Sequence, residues 1–153
     1  MFIEEIELVD YERLKLNQFT RIIIKFTKKV QVILGTNGSG KSSLLAELSP
    51  LPAEQKYFSK TGRKRVVVKH NNKRYILTSQ FNPVNHSFIL EGDSEDMNPG
   101  GTITVQRDLV KKVFGIDAST HSLAIGKHEF HSMSTNVRRD WFRVLSDSNY
   151  DYA

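Results

Sequence analysis

Cysteine is absent from the 153-residue sequence. Disulfide bridges and thiolate metal sites are therefore excluded, and a reducing compartment is permitted. No stretch approaches the 18 or so consecutive apolar residues of a membrane-spanning helix, so we expect no membrane partner. The N-terminal MFIEEIELVD is acidic and amphipathic, unlike the basic and then apolar start of a secretion signal. These absences predict a soluble, cytoplasmic protein.

Internal repeats, low-complexity tracts and linkers are also missing, and 153 residues is about the length of one domain. The content of 39% hydrophobic and 25% charged residues is ordinary for a globular domain. A formal net charge of +5 favours a polyanionic partner, such as a nucleotide or a nucleic acid, without selecting between them.

Short runs of β-branched residues predict three strands in the first part of the chain, at residues 2–9, 20–26 and 30–35. The third strand leads into a glycine-rich loop, and KSSLLAEL after it predicts a helix that SPLP at residues 49–52 ends. Two β-branched or aromatic runs then flank Asn71 and Asn72. This arrangement predicts a β-hairpin with a two-residue turn.

The second part of the chain mixes strand and helix patterns. HSFILEG at residues 86–92 predicts a third antiparallel strand, and TITVQ predicts either a short strand or the start of a helix. The i, i+4 apolar spacing in QRDLVKKVFGI predicts a helix capped by Gly115. SLAIG at residues 122–126 predicts a short strand, and residues 134–146 predict a helix with Ser134 or Thr135 as N-cap. The whole reads as one α/β unit with an antiparallel insert.

One segment carries a specific chemical motif. It matches G-x-x-x-x-G-K-[ST] at every fixed position, through Gly35, Thr36, Asn37, Gly38, Ser39, Gly40, Lys41 and Ser42. Its glycines allow a tight turn whose N–H groups point at phosphate oxygens, and the next helix adds its positive dipole end. We expect Lys41 to reach the β- and γ-phosphates as the catalytic cation, and Ser42 to ligate Mg²⁺. The motif predicts binding of a nucleoside triphosphate.

The motif alone does not select one class of nucleotide-binding protein. The D-x-x-G and N-K-x-D motifs of GTPases do not occur in the sequence. RRDWFR at residues 138–143 imitates the arginine-bearing lid of a small kinase, but its apolar periodicity suits a packed helix. FILEGD at residues 88–93 is a poor match for the apolar strand and acid of an ATPase. The hydrolytic half of an ATPase is therefore missing from this sequence.

Several segments resemble one family of DNA-repair ATPases. The loop with Asn37 and the Ser42–Ser43 doublet, preceded by two short strands, resembles the N-terminal lobe of the ATPase head of SMC and SbcC-type proteins. The chain most resembles the SbcC-type subunit of tailed-phage recombination endonucleases, and this resemblance lies in the combination of FNPVNHSFILEG, NPGGT and MS…RRDWF. The likeness runs over most of residues 1–153, and the P-loop is its highly specific part.

The resemblance implies a P-loop NTPase fold over residues 1–153, as an ABC-type head lobe with an antiparallel β insert and flanking helices. A coiled coil and a C-terminal lobe with the signature motif and Walker B acids would complete it. The chain is then a piece of a longer protein, which we favour, or a naturally split subunit. The implied function is ATP and Mg²⁺ binding in DNA end processing, recombination and repair. Implied partners are the C-terminal lobe, a second head in a homodimer, a nuclease subunit and DNA, in the host cytoplasm if a phage encodes the protein.

The resemblance also assigns roles to single residues. Residues 35–43 become the phosphate cradle, with Ser43 at the α-phosphate, and Arg13 becomes a basic residue that reaches the phosphates. An exposed strand-edge arginine is an equally good reading of Arg13. Lys127 or His128 occupies the place of the family's Gln that touches magnesium. His128 and His131 also have the i, i+3 spacing of a metal pair, although ordinary surface or packing histidines are the favoured reading.

Residues 56–74 hold eight Lys or Arg residues and no acidic one. The resemblance places Lys60, Arg63 and Lys64 where SMC-type heads often carry a basic finger. Together with Arg65 they are candidate contacts to DNA or other phosphates. The alternative is an edge hairpin that its charges keep soluble.

Two rival functions stay open. One is a stand-alone P-loop nucleotide or metabolite kinase, and the other is a non-hydrolysing, nucleotide-gated interaction module. The split-head interpretation predicts little or no ATP hydrolysis by this chain alone, because the acids that activate water belong to the other lobe.

Overall fold

A computed structural model describes residues 1–28, 30–127 and 130–145. The chain divides into two compact units, Met1–Ala118 and Ser119–Ala153. The described residues form a mixed α/β structure with a five-stranded antiparallel sheet and several helices. Of the helices in these ranges, none combines the length and apolar character that crossing a bilayer requires.

The sheet lies in the first unit and has the strand order β2-β1-β3-β4-β5. Its strands are β1 (Phe2–Tyr11), β2 (Arg21–Lys25), β3 (Phe58–His70), β4 (Lys73–Phe81) and β5 (Val84–Leu90). Asn71 and Asn72 join β3 to β4 with φ angles of 49° and 61°. Two left-handed residues in succession are typical of a type I′ turn, whose twist matches that of the flanking strands. The predicted hairpin and the predicted strand after it are confirmed.

The helices are α1 (Lys41–Glu47), α2 (Ile103–Phe114), α3 (Ala118–Ala124) and α4 (Thr135–Leu145). The described residues also form 3-10 turns at Glu12–Asn17, Gln55–Tyr57 and Phe130–Ser132. Before α2, the Thr102 side chain accepts a hydrogen bond from the Val105 N–H, and Gly115 ends the helix with a φ of 70°. TITVQ is therefore the start of a helix, and the Gly115 cap is confirmed.

The second unit contains α4, which begins where the sequence predicts. The Val137 N–H donates to the Ser134 hydroxyl at 3.4 Å, so Ser134 is the N-cap. The strand predicted at residues 122–126 is wrong, because α3 includes most of that segment. A strand also needs a neighbour to pair its backbone groups, and the described part of this unit contains no strand.

The strand predicted at residues 30–35 is also wrong. All six residues are described, and they form no strand. Val30, Val32 and Leu34 are 82%, 76% and 86% exposed. No strand of the described sheet pairs with this segment, so its backbone groups have no ladder to join. The segment has strand-forming residues without a neighbouring strand.

The predicted α/β unit with an antiparallel insert is corrected in the same way. Each pair of neighbouring strands among the described residues is antiparallel, including the pair of β1 and β2. The antiparallel part is therefore the whole described sheet and not an insert.

The core lies on one face of this sheet. Ile6, Val66, Leu77 and Phe88 are paired from strand to strand in that order, and none is more than 3% exposed. Leu44 of α1 and Val110 of α2 belong to the same buried cluster. Each such side chain stabilises the fold by about 1.5–3 kcal/mol through burial. The sheet thereby fixes α1, the helix that follows the glycine-rich loop.

Candidate functional site

The glycine-rich loop turns tightly just before α1. Gly38 and Gly40 have φ angles of 80° and 90°, and the Ser39 N–H donates to the Thr36 carbonyl at 3.2 Å. A Cβ atom on Gly40 would overlap the Leu14 side chain, and one on Gly35 would overlap the Ser39 hydroxyl. The backbone conformation favours glycine at positions 38 and 40, and a side chain at position 35 or 40 would displace a neighbouring side chain. Gly35 and Gly40 are the two glycines that the motif fixes, whereas Gly38 occupies one of its variable positions.

Lys41, the first residue of α1, folds back over this loop. Its Nζ donates to the carbonyl oxygens of Gly35 and Thr36, both at 2.7 Å. A lysine ammonium has three N–H groups, so one remains for another acceptor. The first N–H groups of an α-helix have no acceptor within the helix. The loop therefore gathers a fixed cation and backbone donors around one small region.

Residues 11–17 form a second wall against the loop. The Tyr11 hydroxyl donates to the Ser43 carbonyl at 3.2 Å, and the Asn17 side-chain N–H donates to the Gly38 carbonyl at 3.2 Å. Leu14 is 3% exposed and lies beside Gly40. No motif or spacing in the sequence marks these three residues as part of a site. Their contacts position both the loop and the start of α1.

An open cleft of about 290 Å³ lies between the loop and this wall. Its lining consists of Arg13, Asn37, Gly38, Gly40, Lys41, Ser42 and Ser43. The structure thus brings Arg13 next to the motif residues, although the two are separate in sequence. Two cations and no carboxylate line the cleft among the described residues. Such a concave, positively charged site attracts anions.

Tyr11 stays neutral in this wall. Burial raises the pKa of Tyr11 to about 12, and the nearby Glu47 carboxylate adds to the rise. The positively charged Arg13 guanidinium opposes this rise in the pKa. At neutral pH the hydroxyl keeps its proton and can donate a hydrogen bond to the Ser43 carbonyl.

The basic residues of β3 differ from one another in their surroundings. Lys64 is 3% exposed, and its Nζ donates to Glu47 at 3.2 Å and to the Leu51 carbonyl at 2.9 Å. Burial lowers the pKa of Lys64, and the Glu47 carboxylate partly offsets that effect. The sequence suggested a surface position for Lys64, whereas the structure places it in the interior. It holds α1 to β3.

Arg63 and Arg65 point to the side of the sheet where β1 carries its acids. Arg63 pairs with Glu7 at 3.1 Å, and Arg65 pairs with Glu5 at 2.5 Å. Lys60 is exposed. Carboxylates from β1 therefore neutralise part of the positive charge of residues 56–74.

The remaining candidate residues are Lys127, His128 and the segment FILEGD. Lys127 is exposed in the second unit. His128 lies outside the described residues, so neither its Q-loop role nor its pairing with His131 has a structural counterpart here. In FILEGD, Phe88 is fully buried in β5 and the Glu91 carboxylate pairs with Arg74.

Comparison with known proteins does not assign the chain to a group. No protein-family model matches the sequence, and no curated protein matches it significantly.

Proposed function

We propose that this chain binds ATP and Mg²⁺ as the N-terminal lobe of an ABC-type ATPase head of the SMC and SbcC kind. The observation that carries the proposal is the cleft in which Lys41 and Arg13 meet a complete G-x-x-x-x-G-K-S loop. The tight glycine turn, the free capacity of the Lys41 ammonium and the lack of a carboxylate in the described lining all suit a triphosphate.

Each residue of the cleft would have its own role in binding the nucleotide. Lys41 would contact the β- and γ-phosphates while it keeps its bonds to Gly35 and Thr36. Backbone N–H groups of residues 38–43 would cradle the phosphate oxygens, and Arg13 would approach them from the opposite wall. Ser42 is exposed in the cleft lining, where its hydroxyl is able to hold a metal ion. When bound, Mg²⁺ would neutralise part of the charge of the phosphates.

The proposal of a second lobe is supported by the segment before the loop. Val30, Val32 and Leu34 are largely exposed although their sequence is that of a strand. A partner that contributes a strand beside residues 30–35 would cover these side chains and pair their backbone. The described cleft lining also offers no carboxylate to activate water. Both features fit a head that the C-terminal lobe and a second subunit complete, acting with a nuclease in DNA end processing.

Binding of Mg²⁺–ATP to the purified chain, followed by isothermal titration calorimetry, tests the nucleotide site. Lys41→Ala should weaken binding about 10- to 100-fold, the effect of losing a charge-assisted contact. Lys112→Ala is the matched control, since Lys112 is an exposed lysine on α2. Wild-type affinity in Lys41→Ala would refute the site.

Phosphate release tests the split-head part of the proposal. We expect little or no multiple turnover from the chain alone and turnover once a C-terminal lobe is added. Multiple turnover by the chain alone would instead favour the stand-alone enzyme. For the DNA partner, Lys60→Glu should weaken an electrophoretic shift more than Lys112→Glu does, because both are exposed lysines but only Lys60 belongs to the basic segment.

A further inference from the structure

Tyr57 lies at the end of the 3-10 turn Gln55–Tyr57 and is half-buried. The guanidinium carbon of Arg13 is 4.2 Å from the centroid of its ring. The Lys56 ammonium is 4.8 Å from the same centroid and pairs with Glu54 at 2.5 Å. Tyr57 therefore contacts a cation of the cleft lining without belonging to the glycine-rich loop.

Arg13 differs from the other arginines of the first unit in its partners. Each of those other arginines has a carboxylate oxygen within 4.0 Å, namely Arg21, Arg63, Arg65, Arg74 and Arg107. Within the described residues Arg13 has no such partner, and its guanidinium lies against the Tyr57 ring instead. A guanidinium held by an aromatic ring and not by a carboxylate keeps its positive charge available to an anion. The charge faces the cleft that also contains Lys41.

We infer that Tyr57 is a positioning residue for Arg13, whose guanidinium its ring holds at the cleft wall for contact with the phosphates of the bound nucleotide. An exposed arginine has many rotamers, and binding through it normally costs the entropy of ordering them. Stacking on Tyr57 orders the side chain before the nucleotide arrives, which improves affinity. The inference rests on the proposed nucleotide site.

A set of variants at the two positions tests this role through the affinity for Mg²⁺–ATP. Arg13→Ala should weaken binding about 10-fold or more, because a charge-assisted contact is lost. Tyr57→Leu should weaken it about 2- to 5-fold, the usual worth of a partly exposed cation–π contact. Tyr57→Phe keeps the ring and should bind within about twofold of wild type. Arg13→Lys should bind less tightly than wild type, because an ammonium lacks the planar group that stacks.

A double-mutant cycle separates positioning from a general structural effect. If Tyr57 acts through Arg13, Tyr57→Leu should cause no further loss of affinity in an Arg13→Ala background. A structural role would cause the same loss in both backgrounds.

The outcomes distinguish this inference from the proposed function. Wild-type affinity in Tyr57→Leu, or an equal loss in both backgrounds, overturns the positioning role, while dependence on Lys41 still supports the nucleotide site. Absence of ATP binding in the wild-type chain, or its indifference to Lys41→Ala, overturns both.

Discussion

The buried ion pair between Lys64 of β3 and Glu47 of α1 gives the sharpest prediction for the scaffold of the site. Their side chains are 4% and 8% exposed, and Nζ lies 3.2 Å from Oε2. Lys64→Met keeps much of the aliphatic stem but leaves the Glu47 carboxylate buried without its ammonium. Breaking a buried pair in this way costs about 3–5 kcal/mol. That is a large share of the 5–15 kcal/mol or so by which a typical domain is stable.

Urea unfolding followed by far-UV circular dichroism measures this loss, provided that the slope of free energy against urea is unchanged. Lys15→Met is the matched control. Lys15 pairs with Glu12 at 2.5 Å, but their side chains are 50% and 41% exposed. Solvent screens such a pair, so its loss should cost less than about 1 kcal/mol.

A second variant removes both charges of the buried pair. Lys64→Met combined with Glu47→Leu should recover most of the stability, because no uncompensated charge then remains in the interior. Equal costs for Lys64→Met and Lys15→Met would refute the reasoning. So would a double variant that loses the sum of the two single losses.

Three further predictions concern the sheet, a turn and a helix. Burial is the main cause that lowers the pKa of His86 below 6.5, with Arg107 adding and a Gln106 hydrogen bond opposing. As pH falls, His86 therefore binds a proton in the unfolded chain before it does so in the folded one. The folded state keeps its full stability above about pH 6.5 and loses stability as pH falls toward the lowered pKa of His86. Thermal unfolding from pH 7.5 to 5 measures this loss. Asn72→Val should destabilise by about 1–2 kcal/mol in urea unfolding, because Asn72 has a φ of 61°. Thr102→Ala should cost about 1 kcal/mol in the same assay, since it removes the N-cap of α2.

Each of these has a matched variant. His86→Asn should lose the corresponding part of the pH dependence, and an unchanged slope would assign it to another group. Asn72→Gly accepts a positive φ, so equal losses for the Gly and Val variants would contradict the left-handed turn. Thr102→Ser keeps the hydroxyl, and a loss as large as that of Thr102→Ala would contradict the cap.

Features that depend on a few neighbouring residues were predictable from the sequence. The Asn71–Asn72 turn, the Gly115 cap and the Ser134 cap all follow from local backbone preferences. The motif loop is local as well, because the positive φ angles of Gly38 and Gly40 are a backbone preference of glycine itself. Sequence reasoning therefore located the candidate loop and its lysine without any tertiary information.

Strand formation at residues 30–35 depended on more than local preference. The segment has strand residues, but the described sheet supplies no neighbour, and Leu34 is 86% exposed. A strand is completed by hydrogen bonds from another segment, so its own sequence is insufficient to determine it. The pairing of β1 with β2 also depends on which segments meet, so the sequence alone does not predict that the whole described sheet is antiparallel.

The sequence by itself determined the position of the glycine-rich loop and its adjacent lysine, because both are properties of consecutive residues. Only the tertiary structure decided what surrounds that loop. It brought Arg13 and Tyr57 together at its edge, and it buried Lys64 against Glu47. Charge and burial of a side chain are set by residues distant in sequence, and β1 supplies the acids for the basic run in β3.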